Sequence, residues 1–476
     1  MLAGATIVPR TAFETQLMET QQVSSGWPTY QYNSQNTGYI QGATVPLETE
    51  TTSTYRIGKK IFPEAGCVVS NGHLYIGTYG GSLRSYDLAQ QEEQWQFKTS
   101  EDIYSTPAIA GGSAYIGSGD GSFYSLDTET GEREWRYRNG YPVNNSPTVS
   151  ESAVYLTVEA GSGNGSVVAL GTGTGDELWR FDTNTTMESS PALADGVLYV
   201  GDGYYAEASA DMSYIRAIQA SDGSEIWRAK NPLGEENSYS SFSTPVVSGS
   251  TVYVTVGEAR GEKGYVLAYD TETGTEQWRY TTENPTNKSP AVGDDTVYVG
   301  DWFGRAYALS AEDGSERWVN QLADKYGSLR GAPVVAENGV FFGNHALDKD
   351  SGSLIDTIGP GSVLNQSALT GGTLYYPNSG TIHIIGDAAT VSETKTTTAE
   401  PAESELDSQQ SEDEQGTTEA AADDSGGIPV LNRFGDDNES LGLGIGALGL
   451  LGGSGYLAYR QSNDDSEDQR GDQQYD

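Results

Sequence analysis

Asp127-Thr-Glu-Thr-Gly131-Glu-Arg-Glu-Trp135 is the stretch that decides the fold, because its spacing returns along the chain. An aspartate at the start of such a turn can accept hydrogen bonds from turn amides, and the glycine can take a positive φ without a Cβ clash. Five further glycines stand at the same place in later copies: Gly175, Gly223, Gly274, Gly314 and Gly352. We therefore interpret the stretch as the hairpin between the third and fourth strands of a repeated unit.

Two fixed offsets define the repeat. A strand aromatic follows a proline-type start by eight residues in six copies: Pro107–Tyr115, Pro147–Tyr155, Pro191–Tyr199, Pro245–Tyr253, Pro290–Tyr298 and Pro333–Phe341. A tryptophan follows the end of the third strand by the same eight residues, as in Asp87–Trp95, Asp127–Trp135 and Asp270–Trp278. The short apolar runs between glycine turns favour strands, so each copy is one four-stranded antiparallel unit.

Counting the copies predicts an all-β propeller of eight blades. Six copies end at Trp95, Trp135, Trp179, Trp227, Trp278 and Trp318. A seventh runs from Pro333 to Asp356, and an eighth starts near Ser367 but lacks a fourth strand. Tyr55 precedes Cys67 by twelve residues, the usual distance from a blade tryptophan to the next proline position. We expect Thr52–Gly58 to supply the missing strand and close the ring, which removes exposed sheet edges.

The repeated tryptophans are interpreted as packing residues. Each lies on an outer strand, where it can pack against the neighbouring blade. Burying about 150–250 Å² of one tryptophan contributes roughly 4–6 kcal/mol as an upper estimate. Their regular spacing favours this structural role over stacking on a cofactor.

The repeat Ser-Pro…Val-Tyr-Val-Gly…Tyr-Ala-Leu-Asp-x-x-Thr-Gly-x-x-x-Trp resembles that of the pyrroloquinoline-quinone (PQQ) β-propellers. The stretch from Trp27 to Tyr39 resembles the segment that often precedes their first blade. The resemblance implies that the chain is either a quinoprotein alcohol or sugar dehydrogenase or a non-catalytic relative such as the outer-membrane assembly lipoprotein. In the dehydrogenases, PQQ is sandwiched between a tryptophan and a disulfide of adjacent cysteines, and calcium is held by a glutamate and an asparagine. Cys67 is the only cysteine here, so that disulfide cannot form.

The acidic composition limits the partners. Sixty-seven Asp and Glu residues against 26 Lys and Arg residues give a net charge of −41, which disfavours binding to nucleic acid. We interpret the surface as salt-adapted (halophilic), with a merely acidic extracellular protein as the alternative. The three histidines, His73, His345 and His383, are isolated in sequence, and we expect no metal site of the His/Cys kind.

The resemblance places binding on the face that carries the connections between the second and third strands. Three consecutive blades have lengthened connections there, at Glu159–Ser166, Asp202–Ser213 and Gly257–Gly264. Because function usually lies on loops mounted on a rigid scaffold, these are the candidate partner-binding segments, with neutral loop growth as the alternative. The candidate residues are Tyr204, Tyr205, Glu207, Asp211, Glu258 and Arg260.

A second candidate set lines the channel mouth, just before the proline positions. Glu188 with Asn145 could hold calcium, and Lys288 or Arg330 could face an anionic quinone. These residues would bind PQQ with Ca²⁺ only if the chain is a dehydrogenase with divergent ligands. The alternative is that they are solvated channel residues, and we expect no cofactor.

The sequence divides into five segments. Residues 1–26 are an N-terminal segment that we interpret as the remnant of an export signal, and residues 27–388 are the propeller. Residues 389–440 are rich in Ser, Thr and acidic residues and predict a disordered linker. The uncharged segment 441–459 is long enough to span a membrane as a helix, and 460–476 is an acidic tail.

These features together predict a membrane-anchored propeller that faces outside the cell. We expect a non-catalytic binding scaffold for a protein or polysaccharide of the cell envelope. The alternative is a PQQ-dependent alcohol or sugar dehydrogenase.

Overall fold

The computed structural model describes the greater part of the propeller region. The described residues are 28–44, 53–57, 66–161, 163–203, 213–233, 240–258, 263–286, 288–322, 329, 331–357, 366–378 and 380–386. The chain divides into two units, Met1–Thr398 and Ala399–Asp476, and every described residue belongs to the first. Within these ranges no helix is long and apolar enough to cross a membrane, and the predicted span 441–459 lies outside them.

The described strands form eight antiparallel sheets, one for each predicted blade. Strands within a blade are lettered a to d from the propeller axis outward. The first strand in the chain is β1 (Ser53–Arg56). Blade one contains β2 (Cys67–Ser70), β3 (His73–Thr78), β4 (Ser82–Asp87) and β5 (Glu92–Lys98). Blade two contains β6 (Ala108–Ala110), β7 (Ser113–Ser118), β8 (Ser122–Asp127) and β9 (Arg133–Arg138). Blade three contains β10 (Thr148–Val149), β11 (Ala153–Gly161), β12 (Asn164–Gly171) and β13 (Glu177–Thr183).

The next two blades follow the same order. Blade four contains β14 (Ala192–Ala194), β15 (Val197–Gly201), β16 (Tyr214–Gln219) and β17 (Glu225–Lys230). Blade five contains β18 (Ser240–Phe242), β19 (Val246–Ser248), β20 (Thr251–Glu258), β21 (Gly264–Asp270) and β22 (Glu276–Thr282).

Three blades complete the ring. Blade six contains β23 (Ala291–Gly293), β24 (Thr296–Gly300), β25 (Arg305–Ser310) and β26 (Glu316–Gln321). Blade seven contains β27 (Val334–Ala336), β28 (Gly339–Phe342), β29 (His345–Leu347) and β30 (Leu354–Thr357). Blade eight contains β31 (Ala368–Thr370), β32 (Thr373–Asn378) and β33 (Thr381–Ile385).

Strand β1 closes the ring as the sequence predicts. It pairs antiparallel with β33, with Ser53 opposite Ile384 and Arg56 opposite Thr381. Blade eight therefore takes its outer strand from the beginning of the chain and its other three strands from the end of the propeller. Cys67 begins strand a of blade one, which confirms its place in the proline position.

Blade five departs from the expected four strands because its inner strand is interrupted. Strands β18 and β19 both pair with β20, at Ser240 opposite Glu258 and at Val246 opposite Tyr253. Pro245 lies between them, and a proline cannot donate a hydrogen bond to the ladder. The fifth strand is thus a second piece of the inner strand rather than a new layer.

A tryptophan clamp joins each of six described blades to the next one. The indole Nε1 donates to a backbone carbonyl in the next blade's c–d hairpin, at 2.8–3.0 Å. In each case the ring lies against the glycine of that hairpin, which has a φ between +67° and +76°. The pairs are Trp95–Gly131, Trp135–Gly175, Trp179–Gly223, Trp227–Gly274, Trp278–Gly314 and Trp318–Gly352. The predicted packing role of the tryptophans is confirmed.

The aspartate of the c–d hairpin organises the turn that receives the clamp. The Oδ1 atom of Asp127 accepts hydrogen bonds from the backbone amides of Glu129 and Thr130, at 3.0 and 2.8 Å. These bonds, with another from the Thr130 hydroxyl, hold the pKa of Asp127 below its ordinary value. The same arrangement recurs at Asp270. The hairpin is therefore a rigid surface for the indole.

The N-terminal segment 28–44 runs across the inner strands. In five blades, the backbone amide two residues after the proline donates to a carbonyl of this segment, at 2.6–3.0 Å. The donors are Ile109, Leu193, Val247, Val292 and Val335, and the acceptors are Pro28, Ser34, Gln35, Thr37 and Gly38. Strand a faces the axis in a propeller, so this segment supplies partners for its free edge and occupies the channel.

A glycine under the clamp should be far harder to replace than a glycine in an open turn. A Cβ at Gly223 would lie 2.6 Å from the Trp179 ring, whereas a Cβ at Gly111 would meet nothing within 4 Å. Both have positive φ, +76° and +59°. We expect Gly111→Ala to cost about 1 kcal/mol from backbone strain, and Gly223→Ala about 3 kcal/mol from strain plus overpacking. Equal losses in denaturant unfolding would contradict the clamp.

Candidate functional site

A partial ring of hydroxyl groups, named here the hydroxyl ring, runs from blade one to blade five around the channel at the level of the prolines. The residue before the proline position in one blade donates its amide to the hydroxyl of the equivalent residue in the next blade. Four consecutive bonds are present, at 2.8–3.0 Å: Gly66 to Thr106, Thr106 to Ser146, Ser146 to Ser190, and Ser190 to Thr244. All these side chains are buried. The ring fixes the d–a connections, which carry the predicted mouth residues.

Two of the predicted mouth residues lie side by side on neighbouring blades. The Nδ2 atom of Asn145 donates to the carbonyl of Met187, at 2.8 Å, and Met187 directly precedes Glu188. Glu188 is exposed at this rim, and Asn145 is half-buried. Lys288 lies on the connection to blade six, where its carbonyl accepts a hydrogen bond from Thr255. Arg330 lies outside the described residues.

Of the quinone site that the resemblance implies, the disulfide is excluded because Cys67 is the only cysteine of the chain. Cys67 is buried in the wall between blades one and eight, where its Sγ lies 3.7 Å from the carbonyl of Tyr375. Burial raises the pKa of the Cys67 thiol to about 12. The Nδ2 atom of Asn145 donates to a backbone carbonyl, which leaves its Oδ1 as the atom that could face a cation. Among the described residues, no three His, Cys, Asp or Glu side chains converge as metal ligands.

The lengthened connection of blade three is a hairpin rather than a loop. Strands β11 and β12 continue through Glu159–Ser166 to Gly161 and Asn164, with an irregular register near Gly161. The extra residues find backbone partners across the hairpin, so the expected loop is corrected to two lengthened strands.

This hairpin and the connection that follows β9 form a described patch on the candidate face. Tyr141 is 47% exposed, and a Cβ placed on Gly161 would lie 2.6 Å from its ring. Asn139 donates from Nδ2 to the carbonyl of Glu159, at 2.8 Å. Burial raises the pKa of Glu159 above its ordinary value. An exposed aromatic ring and a partly desolvated carboxylate in one part of this face suit contact with a protein or a glycan.

The base of the blade-four loop is a buried ionic cluster. The carboxylate of Asp202 accepts hydrogen bonds from the amide of Tyr214 and from Nε of Arg216, the latter at 2.7 Å. Nη1 of Arg216 lies 2.5 Å from Glu225, and its guanidinium lies over the Phe181 and Tyr214 rings. Burial raises the pKa of Asp202 although Arg216 opposes this shift.

The other end of the same loop is also held. Ser213 is buried, and its carbonyl and hydroxyl both accept from Asn231, at 2.8 and 2.7 Å. Buried contacts thus hold the chain on both sides of the range 204–212, at Asp202 and at Ser213. The candidate residues Tyr204, Tyr205, Glu207 and Asp211 lie outside the described residues, and so does Arg260 in blade five. Glu258 ends β20, opposite Ser240.

Sequence reasoning missed the residues that fill the channel. Gln31 and Asn36 are buried, and their side-chain amides donate to carbonyls of the proline residues: Gln31 to Pro290, and Asn36 to Pro191 and Pro245. The Tyr30 hydroxyl lies 3.0 Å from that of Ser289. The repeated Ser or Thr before proline was a usable signal for the hydroxyl ring. No repeat signal marks the segment that enters the channel.

The tryptophan clamp, the repeat and the closing strand define a closed eight-bladed β-propeller. Comparison with known proteins shows its family. The chain belongs to the PQQ-repeat family described as outer membrane protein assembly factor BamB, which matches residues 43–159, 142–262 and 262–357. It is related to quinohemoprotein alcohol dehydrogenases. It is 35% identical over 103 residues to the quinohemoprotein alcohol dehydrogenase ADH-IIG of Pseudomonas putida. That match covers 21% of this chain and 14% of the enzyme.

Solved structures share the fold at low identity. The quinohemoprotein alcohol dehydrogenase of Comamonas testosteroni gives a TM-score of 0.64 at 14% identity, covering 78% of this chain and 82% of that chain. BamB of Moraxella catarrhalis gives a TM-score of 0.55 at 20% identity, covering 71% of this chain and 99% of that chain. At these identities the similarity shows the fold, and the activity has to be argued from the site.

The hydroxyl ring should respond to loss of the hydroxyl and tolerate a change of residue that keeps it. Ser146→Ala leaves the buried amide of Thr106 without its acceptor and should cost about 1–3 kcal/mol in the free energy of unfolding. Ser146→Thr places at this position the residue that blades two and five already have, and should cost less. Thermal and denaturant unfolding of the two variants measure this difference. Equal stability of Ser146→Ala and the wild type would contradict a structural role for the ring.

Proposed function

We propose that the propeller is a non-catalytic scaffold that binds a protein or polysaccharide of the cell envelope. The observation that carries this proposal is the blade-four connection, whose two ends are locked by Asp202 and Ser213. A buried ion pair is costly to build, so a firm base under a long connection favours a presented surface over neutral growth. The blade-three hairpin adds Glu159 to the same face, and the connection before blade three adds Tyr141.

The alternative is a PQQ-dependent alcohol or sugar dehydrogenase, and the relationship to such enzymes is its support. In that case Glu188 and Asn145 would hold Ca²⁺, while Lys288 and Arg330 would contact PQQ. Cys67 is buried in the blade wall and is the only cysteine, so the disulfide that the resemblance implies cannot form. This favours the scaffold over the dehydrogenase. No catalytic residue and no cofactor are therefore proposed.

We also propose that the chain is anchored in the cell membrane through 441–459, with the propeller outside and 389–440 as the linker. The uncharged length of 441–459 supports this placement, since about 20 apolar residues cross a bilayer as a helix. The acidic excess supports a solvent-facing, salt-tolerant surface that does not bind nucleic acid.

Shortening the blade-four connection should reduce partner capture and preserve folding. Deleting residues 204–211 gives this connection the length found in blade two. We expect an unchanged melting temperature and about tenfold less envelope material retained from native extracts, because the presented surface is lost. The control is Glu129→Ala, in a c–d hairpin on the opposite face. If deletion and control retain equal amounts, the blade-four loop is not the binding surface. Stoichiometric uptake of PQQ with Ca²⁺ and dye reduction by an alcohol or sugar would instead establish the dehydrogenase.

The anchor can be tested separately by fractionation. The full chain should sediment with membranes and resist high-salt washing, because burial of an apolar helix is insensitive to ionic strength. A chain that ends at residue 440 should be soluble. If both forms are soluble, 441–459 does not anchor the protein.

A further inference from the structure

The position two residues before each clamp tryptophan is glutamate in every clamp blade except blade two. The glutamates are Glu93, Glu177, Glu225, Glu276 and Glu316, and blade two has Arg133 instead. This position lies at the start of the outer strand, so the exception reverses the charge at one place on the rim of the propeller.

The glutamates neutralise arginines or accept from a tyrosine. The nearest nitrogen–oxygen distances are 2.8 Å for Arg84–Glu93, 3.1 Å for Arg180–Glu177, 2.5 Å for Arg216–Glu225 and 2.6 Å for Arg279–Glu276. The Tyr280 hydroxyl donates to Glu316, at 2.8 Å. In blades three and five the partner arginine directly follows the tryptophan, and a register shift between the glutamate and the tryptophan brings the two side chains together although they are three residues apart.

Blade two has the arginine but lacks its carboxylate. The Arg136 guanidinium lies 5.2 Å from the centre of the Tyr124 ring, and its Nε and Nη2 donate to the Ser122 hydroxyl, at 2.9 and 2.6 Å. Arg133 and Arg138 are exposed. Within the described part of the chain, none of these three arginines forms an ion pair.

Two of the nearby carboxylates are already engaged by hydroxyls. Glu134 Oε2 accepts from Ser113 and Ser125, at 2.7 and 2.6 Å. Asp120 Oδ2 accepts from the Tyr124 hydroxyl, at 2.6 Å. Three arginines on one short strand are thus left unneutralised in a chain of net charge −41, which has only 26 basic residues.

The backbone at this place can also accept a partner. Strand β9 is the last strand in the order β6-β7-β8-β9, and among the described strands it pairs with β8 alone. Its outer edge therefore offers a row of amide and carbonyl groups to an extended chain. Arginine binds carboxylates in a bidentate manner, which suits an acidic peptide lying along this edge.

We propose that the outer edge of blade two, formed by β9 with Arg133, Arg136 and Arg138, binds an extended acidic segment of a partner protein. The segment adds a strand to β9 and places its carboxylates on the arginines. A polypeptide is the favoured partner because both the backbone edge and the side-chain charges find complements in it. This surface is separate from the blade-four loop, so the proposal does not depend on binding by that loop.

The test uses the full chain and a fluorescein-labelled peptide of about twelve alternating Glu and Thr residues, with the matching Gln and Thr peptide as control. Fluorescence anisotropy should show about tenfold tighter binding of the Glu peptide at low salt, and the difference should shrink as salt rises. Hydrogen exchange should slow at the amides of β9 when the Glu peptide binds.

Two substitutions separate the proposed surface from general charge effects. Arg133→Glu should weaken binding of the Glu peptide by about tenfold. The melting temperature of the variant should be unchanged or higher, because Glu at this position can pair with Arg136. Arg136→Gln should also weaken binding, whereas Arg279→Gln, the equivalent change in blade five, should leave it within about twofold.

Equal binding of the Glu peptide by the wild type and Arg133→Glu would overturn the proposal. So would equal binding of the Glu and Gln peptides. Binding of a polyuronate without binding of the Glu peptide would assign the arginines to an anionic polysaccharide and also overturn it.

Discussion

The contact between a tryptophan and the c–d hairpin of the next blade is the interaction on which the rest of the structure depends. A four-stranded blade cannot bury both of its faces alone, so its stability comes from its neighbours. The indole covers a glycine that has no Cβ and donates to the hairpin carbonyl, as at Trp135 and Gly175. Aromatic packing thereby buries area between neighbouring blades, and the hydrogen bond fixes the position of one blade against the next. Repetition of this contact around the ring leaves the remaining surfaces free to vary.

The inner strands around the propeller axis are held by hydrogen bonds rather than by aromatic packing. At the level of the prolines, Ser and Thr hydroxyls accept the amides of the preceding blade, and below them segment 28–44 satisfies the inner strand edges. Buried amides must have partners, so the channel is lined and filled by polar groups rather than left open. The differences between the blades of this chain lie instead on the face of the b–c connections and on the outer rim. The proposed binding surfaces lie at these two places.

The relationship to dehydrogenases and to BamB concerns the scaffold more than the chemistry. The propeller is common to both classes, and it is preserved at identities of 14% and 20%. The disulfide that the resemblance implies for a quinone site cannot form here, because Cys67 is the only cysteine and lies within the blade wall. The buried pair of Asp202 and Arg216 supports one proposed binding surface, and strand β9, whose arginines form no ion pair among the described residues, forms the other.

The sequence by itself determined the blade number, the clamp and the closing strand, because these depend on fixed spacings. Gly223 was identified from its offset to Trp227, and Thr52–Gly58 from its offset to Cys67, and β1 confirms the closure. Three features required the tertiary structure: Glu159–Ser166 is a hairpin, Gln31 fills the channel, and the glutamates equivalent to Arg133 pair with arginines. The hairpin depends on a local register that the spacing leaves open, and the filled channel depends on contacts between residues remote in sequence, such as Gln31 with Pro290. A spacing rule describes one blade and its neighbour, whereas a filled channel and an unpaired charge are properties of the closed ring.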